Sequence, residues 1–279
     1  MPLPMFDKNP KKKIKNIIAI AAGKGGVGKS TITVNIALAL RKIGFTVGII
    51  DADLYGPSLR KMLPEETLPI QKGDKIKPAL CGGIPVISMA YFRREGEASA
   101  VRAPIANGII NQFINNVEWD NLDFLLIDFP PGTGDIQLTL SQKANLTAAI
   151  MVTTPQQVAV MDVKKAIDLF DQVRVPILGI IENMSHYLIN DDRVYIFGKE
   201  GGKKLARETG APFLGEVPID PQLCSCGDLG QSIFEITQSN KLTIEAFLSI
   251  AQNIVSHSKL LEKENMNCLE EFELIWKEI

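Results

Sequence analysis

The run Gly23-Lys24-Gly25-Gly26-Val27-Gly28-Lys29-Ser30-Thr31 holds the clearest chemical signal in the chain. From Gly23 to Ser30 it fits G-x-x-x-x-G-K-[ST], a spacing that folds backbone N–H groups around phosphate oxygens. Gly23, Gly25, Gly26 and Gly28 let the backbone turn tightly enough to do so. A helix starting directly after the loop adds the positive end of its dipole. In this chemistry Lys29 reaches the β- and γ-phosphates and the Ser30 hydroxyl ligates Mg²⁺, with Val27 and Thr31 completing the loop. Lys24 is a second lysine, placed where the general pattern does not ask for one.

Phosphoryl chemistry also needs carboxylates to manage the metal and the attacking water. Asp51 and Asp53 follow an apolar run as Ile50-Asp51-Ala52-Asp53. In an extended segment, side chains two residues apart point the same way, so both are expected to face the phosphates. Asp53 is expected to orient water and to serve the metal, with Asp51 supporting it or the metal. Asp128 ends the run Phe124–Ile127 in the manner of a Walker B aspartate holding Mg²⁺. It leads into Phe129-Pro130-Pro131-Gly132-Thr133-Gly134-Asp135, stiff at the prolines and free at the glycines, which suits a switch sensing the γ-phosphate.

The elements that must position these residues alternate along the chain. Apolar strand-like runs cover residues 16–22, 46–51, 124–128, 146–152, 177–181 and 213–217. Helical periodicity covers 31–43, 104–117, 136–144, 159–173 and 202–209, then runs from about 240 to the end. Unbroken apolar strands alternating with helices predict an α/β fold, a doubly wound, mostly parallel sheet of the P-loop NTPase type. Residues 74–86 read as an inserted hairpin around Cys81-Gly82-Gly83. We expect a lead-in over 1–15, one domain over 16–258 and an acidic amphipathic helix over 259–279. In that tail three lysines face six glutamates, and Leu269, Phe272, Ile275, Trp276 and Ile279 fall on one face.

Composition narrows the partners. The 279 residues are 46% hydrophobic and 22% charged with net charge −2, enough to bury a full core and poorly matched to nucleic acid. The acidic tail suits packing on protein better than an anionic membrane. The basic run Lys11–Lys15 reads as a solvated lead-in, and no apolar run is long enough to span a membrane. Four cysteines are too few for a disulfide framework in a chain of this length, so the cytoplasm is the expected compartment.

These motifs resemble a known family. Gly23–Thr31 with Lys24 is similar to the deviant Walker A of the ParA, MinD and nitrogenase-iron-protein group. Asp51–Ser58 (D-A-D-L-Y-G-P-S), Asp128–Asp135 (D-F-P-P-G-T-G-D) and Glu182–Ser185 (E-N-M-S) resemble the Mrp/ApbC branch, ATPases implicated in carrying iron–sulfur clusters to apoproteins. The resemblance runs from about Lys15 to about Phe234. It implies an ATP- and Mg²⁺-dependent homodimer that sandwiches two nucleotides, with Lys24 crossing to the partner's phosphates. It further implies that Asn183 hydrogen-bonds adenine and that Pro218 and Asp220 line the base pocket. Apoproteins or scaffold proteins of iron–sulfur assembly are the implied partners. A spatial-organisation switch like MinD or ParA, binding membrane or DNA, is the alternative.

The sequence departs from the branch at the cargo site. Relatives that bridge a [4Fe–4S] cluster carry C-x-x-C shortly after E-N-M-S, because thiolates suit iron. Here Asn183–Gly198 contains no cysteine. The remaining pair is Cys224-Ser225-Cys226, whose spacing is expected to bring two thiols together; His186, Asp191 and Asp192 are weaker metal candidates. Val101-Arg102-Ala103-Pro104 replaces the usual Trp-Arg-Gly-Pro, and the N-terminal helper domain of many relatives is expected to be absent.

Overall fold

Alternation of residue size along the central strands sets the architecture. In β1 (Ile14–Ala21), Ile18 and Ile20 point to one face of the sheet, and Ala19 and Ala21 to the other. In β7 (Leu122–Asp128), Phe124 and Leu126 join the first face, and Leu125 and Ile127 the second. Both faces are therefore apolar, and both need helices to cover them.

The computed structural model describes residues 13–53, 58–88, 91, 108, 112–113, 116–190, 192–236 and 240–277, without the side chains of 135 and 265–277. Most of the expected helix 104–117, the Val101–Pro104 departure, Asp191 and the tail's apolar stripe lie outside the described residues or side chains. Among those described, an eight-stranded sheet runs β12-β9-β8-β1-β7-β2-β6-β5. The further strands are β2 (Val47–Asp51), β5 (Ala79–Cys81), β6 (Ile84–Ser88), β8 (Ala148–Thr153), β9 (Ile177–Glu182) and β12 (Phe213–Glu216). Every pairing in this sheet is parallel except β5 with β6. Helices α1 (Lys29–Lys42) and α7 (Lys241–Lys277) cover one face; α4 (Gln157–Gln172) and α5 (Gly201–Thr209) cover the other. The shorter helices are α2 (Leu59–Met62), α3 (Asp135–Lys143) and α6 (Pro221–Leu229).

The expected hairpin around Cys81-Gly82-Gly83 is present, and a second hairpin precedes it over residues 70–77. β4 (Lys75–Lys77) pairs with β3 (Ile70–Lys72), while Cys81 and Ile84 pair across Gly82-Gly83 to join β5 to β6. Gly82 and Gly83 both have positive φ (53° and 69°), as a tight two-residue hairpin turn requires. β6 then enters the main sheet parallel to β2. A further hairpin, β10 (Tyr187–Ile189) with β11 (Asp192–Val194), occupies the cysteine-free stretch after Ser185.

α7 runs unbroken through residue 259. Thr243, Phe247, Ile250, Ala251, Ile254 and Ser258 are buried at three- and four-residue spacing, whereas residues 262–264 are exposed. The helix is thus core through Ser258. Phe247→Ala should cost about 3–5 kcal/mol through the cavity it leaves, read as a lower urea midpoint at unchanged slope. Leu260→Ala, at an exposed position, should change stability by no more than about 0.5 kcal/mol.

Candidate functional site

Four in-register parallel strands bring the chemistry to one sheet edge. Ile20 of β1 pairs with Asp128 of β7, Asp128 with Asp51 of β2, and Asp51 with Ser88 of β6. All four residues end or nearly end their strands. The glycine loop therefore leaves β1 directly beside both aspartates. β1 lies between β7 and β8, so the loop rises where the connections diverge to either side, the place where open α/β sheets bind ligands.

Two glycines in the loop are sterically demanded. Gly28 has φ 83°, and a Cβ there would run into the Asn183 amide nitrogen. A Cβ on Gly23 would strike the backbone of Asp162 in α4. The loop is packed between α4 and the Asn183 segment and could not be a generic turn. Lys29 opens α1, and Ile32 donates to the Gly28 carbonyl at 2.9 Å as the helix begins.

The Lys29 ammonium is buried and lies 2.7 Å from Asp128 Oδ1, yet it finds no hydrogen-bond acceptor. A buried ammonium at a helix N-terminus, ion-paired to Asp128 but outside hydrogen-bond geometry, has donors to offer an incoming polyphosphate. A cleft of about 370 Å³ opens at this point, lined by Lys24, Gly25, Lys29, Ser30, Asp53 and Lys61 among others. The residues present fit a Mg²⁺–nucleotide: a basic phosphate cradle, with a hydroxyl and carboxylates for a hard cation.

Asp128 is the hub. Its Oδ2 accepts from Ser30 Oγ at 2.7 Å, and its Oδ1 accepts from Thr33 Oγ1 at 2.8 Å. Its backbone carbonyl accepts from Ala52 N at 3.0 Å, locking the end of β2 to the end of β7.

Asp51 and Asp53 do not act as a matched pair. Strand β2 stops at Asp51, whose Oδ1 accepts from the Asp53 backbone N–H at 3.1 Å and turns the chain. Its Oδ2 accepts from Ser88 Oγ at 2.8 Å, and the residue is fully buried. Burial first, and the neighbouring Asp128 charge second, push its carboxyl up to about 7. Only Asp53 lines the cleft. The extended geometry behind the expectation that both carboxylates face the phosphates ends at Asp51, so Asp51 lies behind the cleft wall and Asp53 on it.

Lys24 lines the cleft with its ammonium 3.4 Å from Gln156 Oε1, just before α4. Val158 and Met161, on the first turn and a half of α4, are 64% and 62% exposed. Lys24 thus sits at the rim of the site, next to an apolar surface.

On the other side of the loop, Asn183 is buried and donates from Nδ2 to the Val27 carbonyl at 2.8 Å. Its segment is zipped to the next one: Ser185 N to Val217 O, Val217 N to Glu182 O, and Ile219 N to His186 O. That ladder fixes Pro218, which is buried, beside Asn183. Asp220 is committed within the chain. Its Oδ1 caps α6 through Gln222 N at 2.9 Å, and its Oδ2 accepts from Thr243 of α7 at 2.6 Å. Asn183 therefore braces the phosphate loop, and Asp220 joins two helices.

The Cys224–Cys226 expectation also changes. Both lie on α6, where residues two apart point about 200° apart around the axis. Cys224 is exposed and Cys226 buried, with its thiol pushed up by burial. The spacing that would pair thiols in an extended segment separates them on a helix. His186 is buried, its Nδ1 2.9 Å from Ser185 Oγ, while Asp192 is exposed. No group of three or more His, Cys, Asp or Glu suited to a metal occurs among the described residues.

Three contributors escape the motif reading. Ser88 has no motif and is found only through strand register. Thr33 is one helical turn after Lys29, a spacing that could have marked it. Glu182, the first residue of E-N-M-S, is buried at the end of β9 and accepts from the Gly202 N–H at the start of α5. Burial raises its carboxyl above the usual range.

Fold and site together define a P-loop nucleotide-binding protein. A family model described as ParA, NUBPL iron-transfer P-loop NTPase, matches residues 13–255, and the chain belongs to that family. An iron-sulfur cluster carrier protein of Pyrococcus horikoshii is 41% identical over 274 residues, covering 92% of both chains. A nucleotide-binding protein of Archaeoglobus fulgidus, solved in complex with ADP, superposes with TM-score 0.69 at 38% identity, covering 78% of this chain and 88% of its own. The septum site-determining protein MinD of Pyrococcus horikoshii, complexed with Mg-ADP, shares the fold at TM-score 0.62 and 21% identity, covering 86% of this chain and 96% of its own. Among the described residues no helix is long and apolar enough to cross a membrane.

The loop geometry carries its own test. Gly28→Ala should weaken ADP binding at least tenfold, since strain in the left-handed region costs about 1–3 kcal/mol and Asn183 must also move. Titration calorimetry measures the loss, and an unchanged far-UV spectrum shows that the fold survives.

Proposed function

We propose that this chain is a Mg²⁺-dependent ATPase that works as a homodimer in assembling iron–sulfur clusters or transferring them to apoproteins. The observation that carries the reading is the buried Lys29 ammonium, without a hydrogen-bond acceptor, beside Ser30 and Asp128 in a member of an iron-transfer family. Lys29 would turn from Asp128 to the β- and γ-phosphates, and Ser30 and Asp128 would hold the metal between them. Bound Mg²⁺ would neutralise charge developing on the transferred phosphoryl group. Asp53, at the cleft wall, would orient the attacking water, with Asp51 holding the Asp53 backbone from below.

Lys24 would leave Gln156 and cross to the partner's phosphates, adding positive charge where it develops during transfer. The exposed Val158 and Met161 beside it support a protein-covered surface at this rim. Asn183, Pro218 and Asp220 would form the base side of the nucleotide site, Asp220 through the backbone that its two side-chain bonds hold in place. The cluster is cargo, and the cysteine-free hairpin with the separated Cys224 and Cys226 favours an assembly factor, or one half of a mixed carrier, over a self-sufficient carrier. The cytoplasm is the compartment that fits these roles. The domain would span residues 16–258, with 259–279 as an added helix.

Three experiments test the parts separately. Lys29→Ala should abolish ATP hydrolysis. Lys24→Ala should lose most hydrolysis while keeping ATP binding; normal turnover in that variant would sink the sandwich mechanism. Anaerobic reconstitution of the wild-type chain should leave no [4Fe–4S] absorption after desalting. A cluster retained by wild type and lost in Cys224→Ser/Cys226→Ser would show that α6 ligates it. ATP-dependent co-sedimentation with liposomes or DNA would favour the spatial-organisation reading instead.

A further inference from the structure

We infer that Thr33 is a positioning residue for Asp128, holding that carboxylate in place when Lys29 and Ser30 turn to the nucleotide. The inference rests on the Mg²⁺–nucleotide reading above and assigns a role to a residue outside the loop motif.

Thr33 is fully buried on the second turn of α1, facing the end of β7. Its hydroxyl oxygen lies 2.8 Å from Asp128 Oδ1 and 3.0 Å from the Lys29 carbonyl one turn back. A threonine hydroxyl has one proton to donate. Of the two acceptors, the ionised carboxylate makes the stronger bond. The side-chain groups that meet Asp128 here are Lys29 Nζ, Ser30 Oγ and Thr33 Oγ1.

Two of those contacts must be given up. Lys29 has a flexible stem and an unsatisfied ammonium, so it can swing to phosphate. Ser30 lines the cleft and would exchange Asp128 for the metal. Thr33 has no such freedom: it is β-branched, fully buried and not itself part of the cleft wall. Once its neighbours have turned, its hydroxyl remains on Oδ1 and keeps Oδ2 aimed at the Ser30 side. Without it, a fully buried carboxylate would lose its fixed donor and could rotate.

Isothermal titration of ADP with and without Mg²⁺ reads this role without any turnover. In the wild-type chain Mg²⁺ should tighten ADP binding. Thr33→Val keeps the branched shape and deletes the donor; it should lose about 10–100-fold of that metal-dependent gain, the usual effect of removing a partner behind a ligand. Its melting temperature should fall, because a buried carboxylate loses a donor, while its ADP affinity in EDTA should stay at the wild-type value, and Thr33→Ser should restore the metal effect. The inference fails if Thr33→Val keeps the full Mg²⁺ gain, if it weakens metal-free ADP binding equally, or if Thr33→Ser does not rescue. A wild-type chain whose ADP affinity ignores Mg²⁺ would instead overturn the metal site of the proposed function, and this role with it.

Discussion

The buried contact between Lys29 and Asp128 is the constraint on which the rest of the structure turns. Taking both charges out of water costs several kcal/mol for each, and their attraction offsets this only with good geometry and further hydrogen bonds. Asp128 has those bonds, from Ser30 and Thr33. Lys29 does not. The imbalance leaves the carboxylate settled by hydrogen bonds and the ammonium held by the ion pair alone, with its N–H donors unused. Phosphate oxygens supply what is missing, which ties the affinity of the loop to the same ion pair that closes the sheet edge beneath it.

That edge is flat enough to work because the sheet beneath it is in strict register. Asp51, Asp128 and Ile20 stand level across β2, β7 and β1. A slip of one residue in β2 would turn Asp51 to the opposite face and remove Ser88 from its reach. The pattern of β2 itself makes such a slip costly, since it would replace Val47 and Ile49 with Gly48 and Ile50 on the face that α1 covers. Core packing and site geometry are thus one constraint seen from two sides.

Much of this could be read from residue order, and the reasons for the remainder are local. The strand–loop–helix of Asn16–Ile43, the Asp128 strand and the two-sided sheet follow from apolar runs that no other fold class accommodates. The split between Asp51 and Asp53 was hidden because it depends on where β2 ends, and strand ends are set by hydrogen bonds such as Asp53 N to Asp51 Oδ1. The Cys224–Cys226 geometry was hidden because it depends on α6. Asp220-Pro221 was a readable start signal for that helix, a capping carboxylate followed by proline in the first turn. Ser88 carries no signal of its own, because a lone serine acquires meaning only once β6 is known to lie beside β2. Glu182 does stand in a motif, but its role stays hidden because its partner is a backbone N–H in a helix twenty residues on.

The bond from Asn183 to the Val27 carbonyl spans 156 residues, and that from Ser30 to Asp128 spans 98. Contacts of such separation cannot form until the residues between them have been synthesised, and closing the intervening chain costs entropy. A growing polypeptide therefore carries the whole glycine motif long before it has a phosphate site. Until β9 docks and delivers Asn183, the loop has the right residues but no wall behind Gly28. Nucleotide can recognise only a chain that has already joined both halves of its sheet, so binding reports the completion of folding rather than guiding its first steps.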